Sequence, residues 1–295
     1  MTSRHVVRPA PAPGRPPADG FSRRPAVDET VPGAVHTGFA VCELAAGSTL
    51  PARVHSYEEC VYGIEGTVVL QTLEGATALG PGDYALLSVG QPHAWRNESG
   101  GPARWAEMVS PQPRARHGGD TFGVPELPRT EAVPVDVRDP RVRSCGHIST
   151  DNLDVAKQTQ GHLAVSASMR TALLVYSGIT VKMMVDRDLG AELTTMFMVH
   201  YDPDGQAGPH DHPFEETYLF LAGEAEGSFD GETYLLRPGD VAFAGAGCVH
   251  SFRNAGGGRL RWLETQAPQP PARHSYRFAR DWQYLSEALE REEDR

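Results

Sequence analysis

Short segments in which apolar residues run together or alternate with polar ones recur along the chain, at 38–44, 60–64, 67–73, 84–88, 196–201, 218–222, 234–236 and 241–244, mostly bounded by Gly, Pro or Asp. Segments this short, with turn residues between them at close and even spacing, predict strands of an all-β sandwich or barrel. Two more strands are predicted at 171–176 and 179–185, split by Ser177 and Gly178. One helix is predicted, over 280–290, where Trp282, Leu285 and Leu289 recur at helical spacing and would lay an apolar stripe on a barrel.

The pattern also repeats at long range. Residues 53–113 align with 210–270 without a gap, at a constant offset of 157. A gapless repeat of this length indicates two copies of one domain, and 295 residues are enough for two cores. The divisions that follow are a Pro-rich disordered or extended tail (1–33), a first barrel (34–113), a Pro-, Gly- and charge-rich linker (114–170), a second barrel (171–275) and the terminal helix (276–295).

The two copies share chemistry-bearing positions, and only the second keeps them all. It reads His210, His212, Glu216, Gly223, Pro238-Gly239-Asp240, His250 and Asn254, where the first reads Arg53, His55, Glu59, Gly66, Pro81-Gly82-Asp83, His93 and Asn97. Strand side chains alternate between faces, so His210, His212, Glu216, Tyr218 and Phe220 share one interior face and Asp211 and Glu215 the other. Three neutral imidazoles and a carboxylate suit a divalent first-row metal, and four protein ligands would leave two octahedral positions for a substrate and dioxygen or water.

Composition narrows the partners. Acidic residues exceed basic ones by 11, and Lys157 and Lys182 are the two lysines. Such a charge repels phosphate backbones and anionic lipid, and no helix-turn-helix pattern or basic stripe is visible, so neither nucleic acid nor membrane is expected. No apolar run is long enough to span a bilayer, and residues 1–32 have no apolar signal-peptide core. Cys42, Cys60, Cys145 and Cys248 show no C-x-x-C spacing and read as reduced thiols of a cytoplasmic protein. Cys248 lies two residues before His250 and would share its face.

Both copies resemble the two sequence motifs of the cupin superfamily, which makes the chain similar to a bicupin: two tandem double-stranded β-helix (jelly-roll) barrels with a short C-terminal helix. His210-x-His212, Glu216 and Gly223 fit the first motif, with Gly205 one position from its leading glycine. Gly239, Gly247, His250 and Asn254 fit the second, with Gly245 where the family usually has proline. By this resemblance His210, His212, Glu216 and His250 are the metal ligands, and a dimer or higher homo-oligomer is implied. Asn254 is read as stabilising the backbone near His250.

The first copy departs from the motif at Arg53, because a guanidinium is permanently charged and cannot coordinate a metal. His55, Glu59 and His93 remain as a weaker second set, and Arg53 could pair with Glu59 and oppose a second cation. The expectation is therefore one divalent metal per chain, in the second barrel, with iron(II) first and manganese, nickel or zinc as alternatives. Cupins with this ligand set include dioxygenases, decarboxylases, isomerases and hydrolases. The leading expectation is a dioxygenase-like oxidoreductase acting on a small enol, phenol or diketone, with Glu216 as ligand, general base or both, and Tyr218, Phe220 and Phe252 lining the substrate pocket. Lys182 or loop residues could supply a cation there. The alternatives are a metal-dependent decarboxylase, isomerase or lyase, and a non-catalytic cupin that binds a small ligand.

Overall fold

The computed structural model describes residues 4–12, 19–136, 139, 142–153, 171–174 and 178–269. The strands β1 (His5–Pro9) and β2 (Phe21–Val27) come first. The first repeat follows with β3 (Gly38–Leu44), β4 (Thr49–His55), β5 (Glu58–Glu65), β6 (Val68–Thr72), β7 (Ala76–Leu79), β8 (Asp83–Leu87), β9 (His93–Arg96) and β10 (Ala103–Ser110). Between the repeats lie β11 (Thr121–Gly123), β12 (Ala132–Pro134), β13 (Cys145–His147) and β14 (Thr171–Leu174). The second repeat contains β15 (Ile179–Val185), β16 (Thr195–Tyr201), β17 (Gln206–His210), β18 (Glu215–Ala222), β19 (Ala225–Phe229), β20 (Glu232–Leu236), β21 (Asp240–Ala244), β22 (His250–Asn254) and β23 (Leu260–Ala267). Helix among the described residues is 3₁₀ only, as in Ala115–Asp120 and Thr150–Leu153. The helix predicted at 280–290 lies outside the described residues. No described helix is long and apolar enough to cross a membrane.

Each repeat builds a two-sheet barrel. The first pairs the sheet β13-β8-β5-β10-β3-β2 with β11-β4-β9-β6-β7-β12, and the second pairs β1-β21-β18-β23-β16-β15-β14 with β17-β22-β19-β20. Alternation along the strands assigns each face. In β3, Cys42 and Leu44 point into the first barrel while Phe39 and Val41 point out of it. In β16, Phe197, Val199 and Tyr201 point into the second barrel while Met196 and Met198 point out. The outward faces of the two equivalent sheets pack on each other and form a third core that includes Phe39, Cys60, Leu86 and Met108 from one side and Met198, Leu219, Phe243 and Leu263 from the other. Each large apolar side chain withdrawn from water there contributes about 1.5–3 kcal/mol.

A reciprocal pair of carboxylates closes this interface. Glu58 accepts backbone N–H bonds from Glu192, Leu193 and Thr194 at 2.6, 2.9 and 3.1 Å. Glu215, its repeat equivalent, accepts from Val35, His36 and Thr37, each at 2.9 Å. The wrong parity for a metal ligand is thus the right one for a clamp between barrels. Glycine at the motif position Gly66/Gly223 is also required by the fold. Both adopt positive φ (68° and 75°), and a Cβ would lie 2.3 Å from the Pro102 carbonyl oxygen and 2.6 Å from that of Arg259.

The tail and linker expected at 1–33 and 114–170 instead supply strands. β1 pairs with β21 of the second barrel, with Val7 opposite Ala242. β13 pairs with β8, the equivalent strand of the first barrel, with Cys145 opposite Ala85. The segment before each barrel therefore completes a sheet of the other. β2 is an edge strand of the first barrel, and its Pro25 stands at a register shift, where a residue without an N–H is tolerated. β11 and β12 add to the first barrel beside β4 and β7. Local composition hides β1, β11, β12 and β13 because their hydrogen-bond partners are remote in sequence.

Candidate metal centre

In the second barrel His210 ends β17, His212 follows in the loop, Glu216 lies in β18 and His250 opens β22, directly opposite His210 in the ladder. Their spacing on alternating strands brings all four to one buried point. The three imidazoles offer nitrogens within 4.8 Å of one another. Glu216 Oε2 lies 2.8 Å from His212 Nε2 and 3.2 Å from His250 Nε2.

Backbone carbonyls set the tautomer of every ring. His210 Nδ1 lies 2.8 Å from the Gly208 oxygen, His212 Nδ1 2.9 Å from that of Phe214, and His250 Nδ1 3.0 Å from that of Cys248. A carbonyl oxygen can only accept, so each Nδ1 carries a proton and each ring, when neutral, presents its lone pair on Nε2, the arrangement that outer-shell partners impose on metal-binding histidines. Burial, reinforced by nearby His250, lowers His210 to about 4 and keeps it neutral. Burial opposes the charge on Glu216 too, but His212 and His250 outweigh it and hold the carboxyl well below its usual range. His212 is raised because Glu216 outweighs the opposing effect of burial.

Glu216 is held from three sides. Gln266 Nε2 donates to Oε1 at 2.6 Å, and the Tyr218 hydroxyl donates to Oε2. Glu264, fully buried, is raised well above the carboxylate range by burial and by the charge on Glu216, and is therefore a neutral acid beside an ionised one. Trp262 Nε1 donates to Glu264 Oε2 at 2.8 Å. Gln266 and Glu264 are absent from the set predicted from sequence, although the alternation of Trp262, Glu264 and Gln266 along β23 puts all three on the interior face.

Aromatic rings wall the centre. Tyr218, Phe252 and Phe229 lie 6.2, 6.0 and 6.2 Å from the His250 ring, and Phe214 stacks on His212 at 3.9 Å. Phe220 lies one layer deeper, against Trp262 at 5.5 Å and Phe252 at 6.2 Å. Asn254 binds the Asp202 and Gly258 carbonyls at 2.9 and 2.7 Å and fixes the turn after β22. The Lys182 cation expected as a candidate does not face the centre: Lys182 stands opposite Met198, whose side chain belongs to the core between the barrels. Arg253 pairs outside with Glu226 at 2.6 Å.

The first barrel assembles the reduced set. Glu59 Oε2 lies 3.3 Å from His55 Nε2 and 4.0 Å from His93 Nε2, and the three ligand atoms fall within 4.8 Å of one another. His93 Nδ1 donates to the Gln91 carbonyl at 3.0 Å, and its buried Nε2 has no hydrogen-bond partner. His55 Nδ1 lies 2.9 Å from Thr121 Oγ1, whose own proton goes to the Gly119 carbonyl, so this ring has the same tautomer. Burial lowers His55 to about 4, lowers His93 and raises Glu59. The donors of both barrels thus fit a divalent ion, with four ligands in one and three in the other.

The anticipated Arg53–Glu59 pair does not form. Arg53 donates from Nε to the Pro51 carbonyl at 3.1 Å, and no described ion pair joins it to Glu59. The surroundings of Glu59 differ instead: Val61 and Val109 occupy the places of Tyr218 and Gln266. Glu107, equivalent to Glu264, is taken by Arg23 at 2.5 Å, and the buried Trp105 indole N–H is left without a partner.

Comparison with known proteins agrees with this architecture. The model of the Cupin domain matches twice, at residues 40–109 and 197–265. The chain is a two-domain cupin. No protein of curated function matches this cupin in sequence. Among solved structures it is similar to Lactobacillus farciminis oxalate decarboxylase in its formate complex, at 16% identity and a TM-score of 0.61, over 92% of this chain and 89% of that one. It is also similar to Bacillus subtilis oxalate decarboxylase at pH 4.6, at 14% identity and a TM-score of 0.61, over 96% and 82% of the two chains. At these identities the likeness is one of fold.

Proposed function

We propose that the second barrel holds one divalent metal through His210, His212, Glu216 and His250, and that the protein acts there on a small oxygen-bearing organic compound in a decarboxylase, isomerase or lyase reaction that consumes no dioxygen. The observation that carries this reading is the Glu216 carboxylate, fixed by Gln266 and Tyr218 and converging with the Nε2 atoms of His212 and His250 on one buried point. The likeness in fold to oxalate decarboxylases favours a non-oxidative reaction over the dioxygenase expected from sequence, and the imidazole and carboxylate donors suit manganese as well as iron.

When bound, the metal supplies a Lewis acid that stabilises negative charge developing on a substrate oxygen. The chain does the rest. Phe214, Phe229, Tyr218 and Phe252 exclude water from the imidazoles and limit the substrate to what fits beside them. Glu216 Oε2 faces the imidazoles as a ligand would, and the Tyr218 hydroxyl against it holds the carboxylate in that orientation. With Arg253 and Lys182 facing away, the centre suits a compound with one anionic oxygen and an apolar body better than a small dianion such as oxalate. The same aromatic wall favours one second reading, an iron-dependent dioxygenase acting on an enol, phenol or diketone.

The test is turnover of a panel of β-keto acids, enols and catechols by manganese- or iron-loaded protein, with carbon dioxide release and oxygen uptake followed in air and under nitrogen. Turnover undiminished under nitrogen and lost in Glu216→Gln supports the proposal. Strict dependence on oxygen would transfer support to the dioxygenase, and binding without turnover would make the protein a small-ligand receptor.

A further inference from the structure

A second group of ligand-type side chains lies outside both centres. His5 opens β1, Asp230 sits in the turn between β19 and β20, and Cys248 lies in the loop before β22. One ligand atom from each falls within 4.8 Å of the other two, and His5 and Cys248 are buried. Donors bound at ~2.0–2.3 Å to a tetrahedral ion are themselves roughly 3.3–3.8 Å apart, so closure needs shifts on the order of 1 Å.

All three are held in place by partners of their own. The His5 ring stacks on Phe229 at 5.6 Å and meets Tyr234 edge-on at 5.7 Å. The Tyr234 hydroxyl donates to Glu232 at 2.6 Å, so its oxygen accepts from His5 Nε2 at 3.0 Å, which puts that ring's lone pair on Nδ1. Asp230 has φ of 48°, a left-handed turn conformation that Asp tolerates better than most residues. Its Oδ1 accepts from Arg4 at 2.7 Å and from the Val249 N–H at 3.1 Å, and Oδ2 accepts from Arg4 Nε at 3.0 Å. The Cys248 thiol donates to the Val249 carbonyl at 3.9 Å. Outer-shell bonds of this kind orient metal-binding carboxylates and imidazoles.

The repeat shows that the fold does not require this group. The first barrel has Leu73 and Gln91 at the positions of Asp230 and Cys248. We propose that His5, Asp230 and Cys248 form a separate site for a borderline-soft divalent ion of the zinc class, in which the metal replaces the proton of the Cys248 thiol and that proton leaves to solvent. A thiolate, an imidazole and a carboxylate form a donor set typical of zinc, with water completing the coordination, and the thiolate disfavours manganese. The ion would pin the amino-terminal strand to the loop that carries His250, whose Gly245 N–H already donates to the Arg4 carbonyl at 2.7 Å.

Cobalt(II) provides the test, because only a site with a sulfur ligand gives an intense near-ultraviolet thiolate-to-cobalt band. Full-length metal-free protein titrated with cobalt should develop the band, His212→Ala should keep it, Cys248→Ser should lose it, and His5→Ala should weaken cobalt binding at least tenfold. Absence of the band in the wild type, or its persistence in Cys248→Ser, would overturn the proposal. X-ray absorption of the zinc-loaded wild type, which needs no variant, should show a sulfur shell at ~2.3 Å. A shell of nitrogen and oxygen alone would overturn it equally.

Discussion

The two barrels share a strand plan, a ligand geometry and an interface, and differ in what surrounds one carboxylate. In the second, Glu216 stands among three imidazoles, with Gln266 and Tyr218 on its oxygens and a neutral Glu264 behind it. In the first, Glu59 has two imidazoles, Val61 and Val109 in place of those donors, and an Arg23–Glu107 ion pair where the neutral acid would be. Duplication has kept the scaffold while changing the support. On the proposed reading a metal site is not only its ligands: the first barrel has Arg53 in place of His210 and lacks the groups that hold Glu216.

The comparison can be broken at its root by restoring the missing ligand. Arg53→His should raise manganese binding from one towards two ions per chain, the new site being about 10–100-fold weaker than the original because Val61 and Val109 still flank Glu59. Isothermal titration measures both numbers, and an unchanged single ion would mean that something other than Arg53 silences the first barrel.

The shared interface should respond alike from either side. Glu58→Ala and Glu215→Ala each remove a carboxylate that accepts three backbone N–H bonds, so each should cost about 2–4 kcal/mol in denaturant unfolding. Unequal costs would mean that the clamps are not true equivalents. A smaller change converts the support of one site into that of the other: Gln266→Val should weaken manganese binding about 10–100-fold with the fold intact, as read by titration and thermal melting.

The smallest effect is in pH dependence. Burial lowers His55 to about 4 and also lowers His93, so below pH 6.5 the unfolded metal-free chain takes up protons that the folded one refuses. Stability is then complete above pH 6.5 and falls towards pH 4, with a slope of up to about 1.4 kcal/mol per pH unit for each such histidine. In the second barrel His210 acts in the same sense, but the raised His212 acts in the opposite one, its contribution being lost as pH rises. Unfolding in chelator from pH 7 to pH 5 should show a shallower slope for His55→Ala than for the wild type.

The central strands and the convergence of the histidine and glutamate side chains were legible in the sequence because both rest on period-two alternation around Gly and Pro-Gly-Asp turns. That alternation also held the signal for Gln266 and Glu264, which share the parity of Trp262. β1, β11, β12 and β13 were not legible, since each is stabilised by a strand remote in sequence, and β2, which pairs with the next strand β3, was hidden because Arg23 and Pro25 blur its alternation. The fate of Arg53 was beyond sequence too. Parity aims it at Glu59, yet its Nε hydrogen is satisfied by the Pro51 carbonyl two residues away.

The asymmetry between the barrels is tested most directly by manganese stoichiometry in three proteins loaded and desalted alike: wild type, His212→Ala and His55→Ala. The account predicts one ion per chain in the wild type, almost none in His212→Ala and one in His55→Ala. Two ions in the wild type, or manganese kept by His212→Ala and lost by His55→Ala, would contradict it.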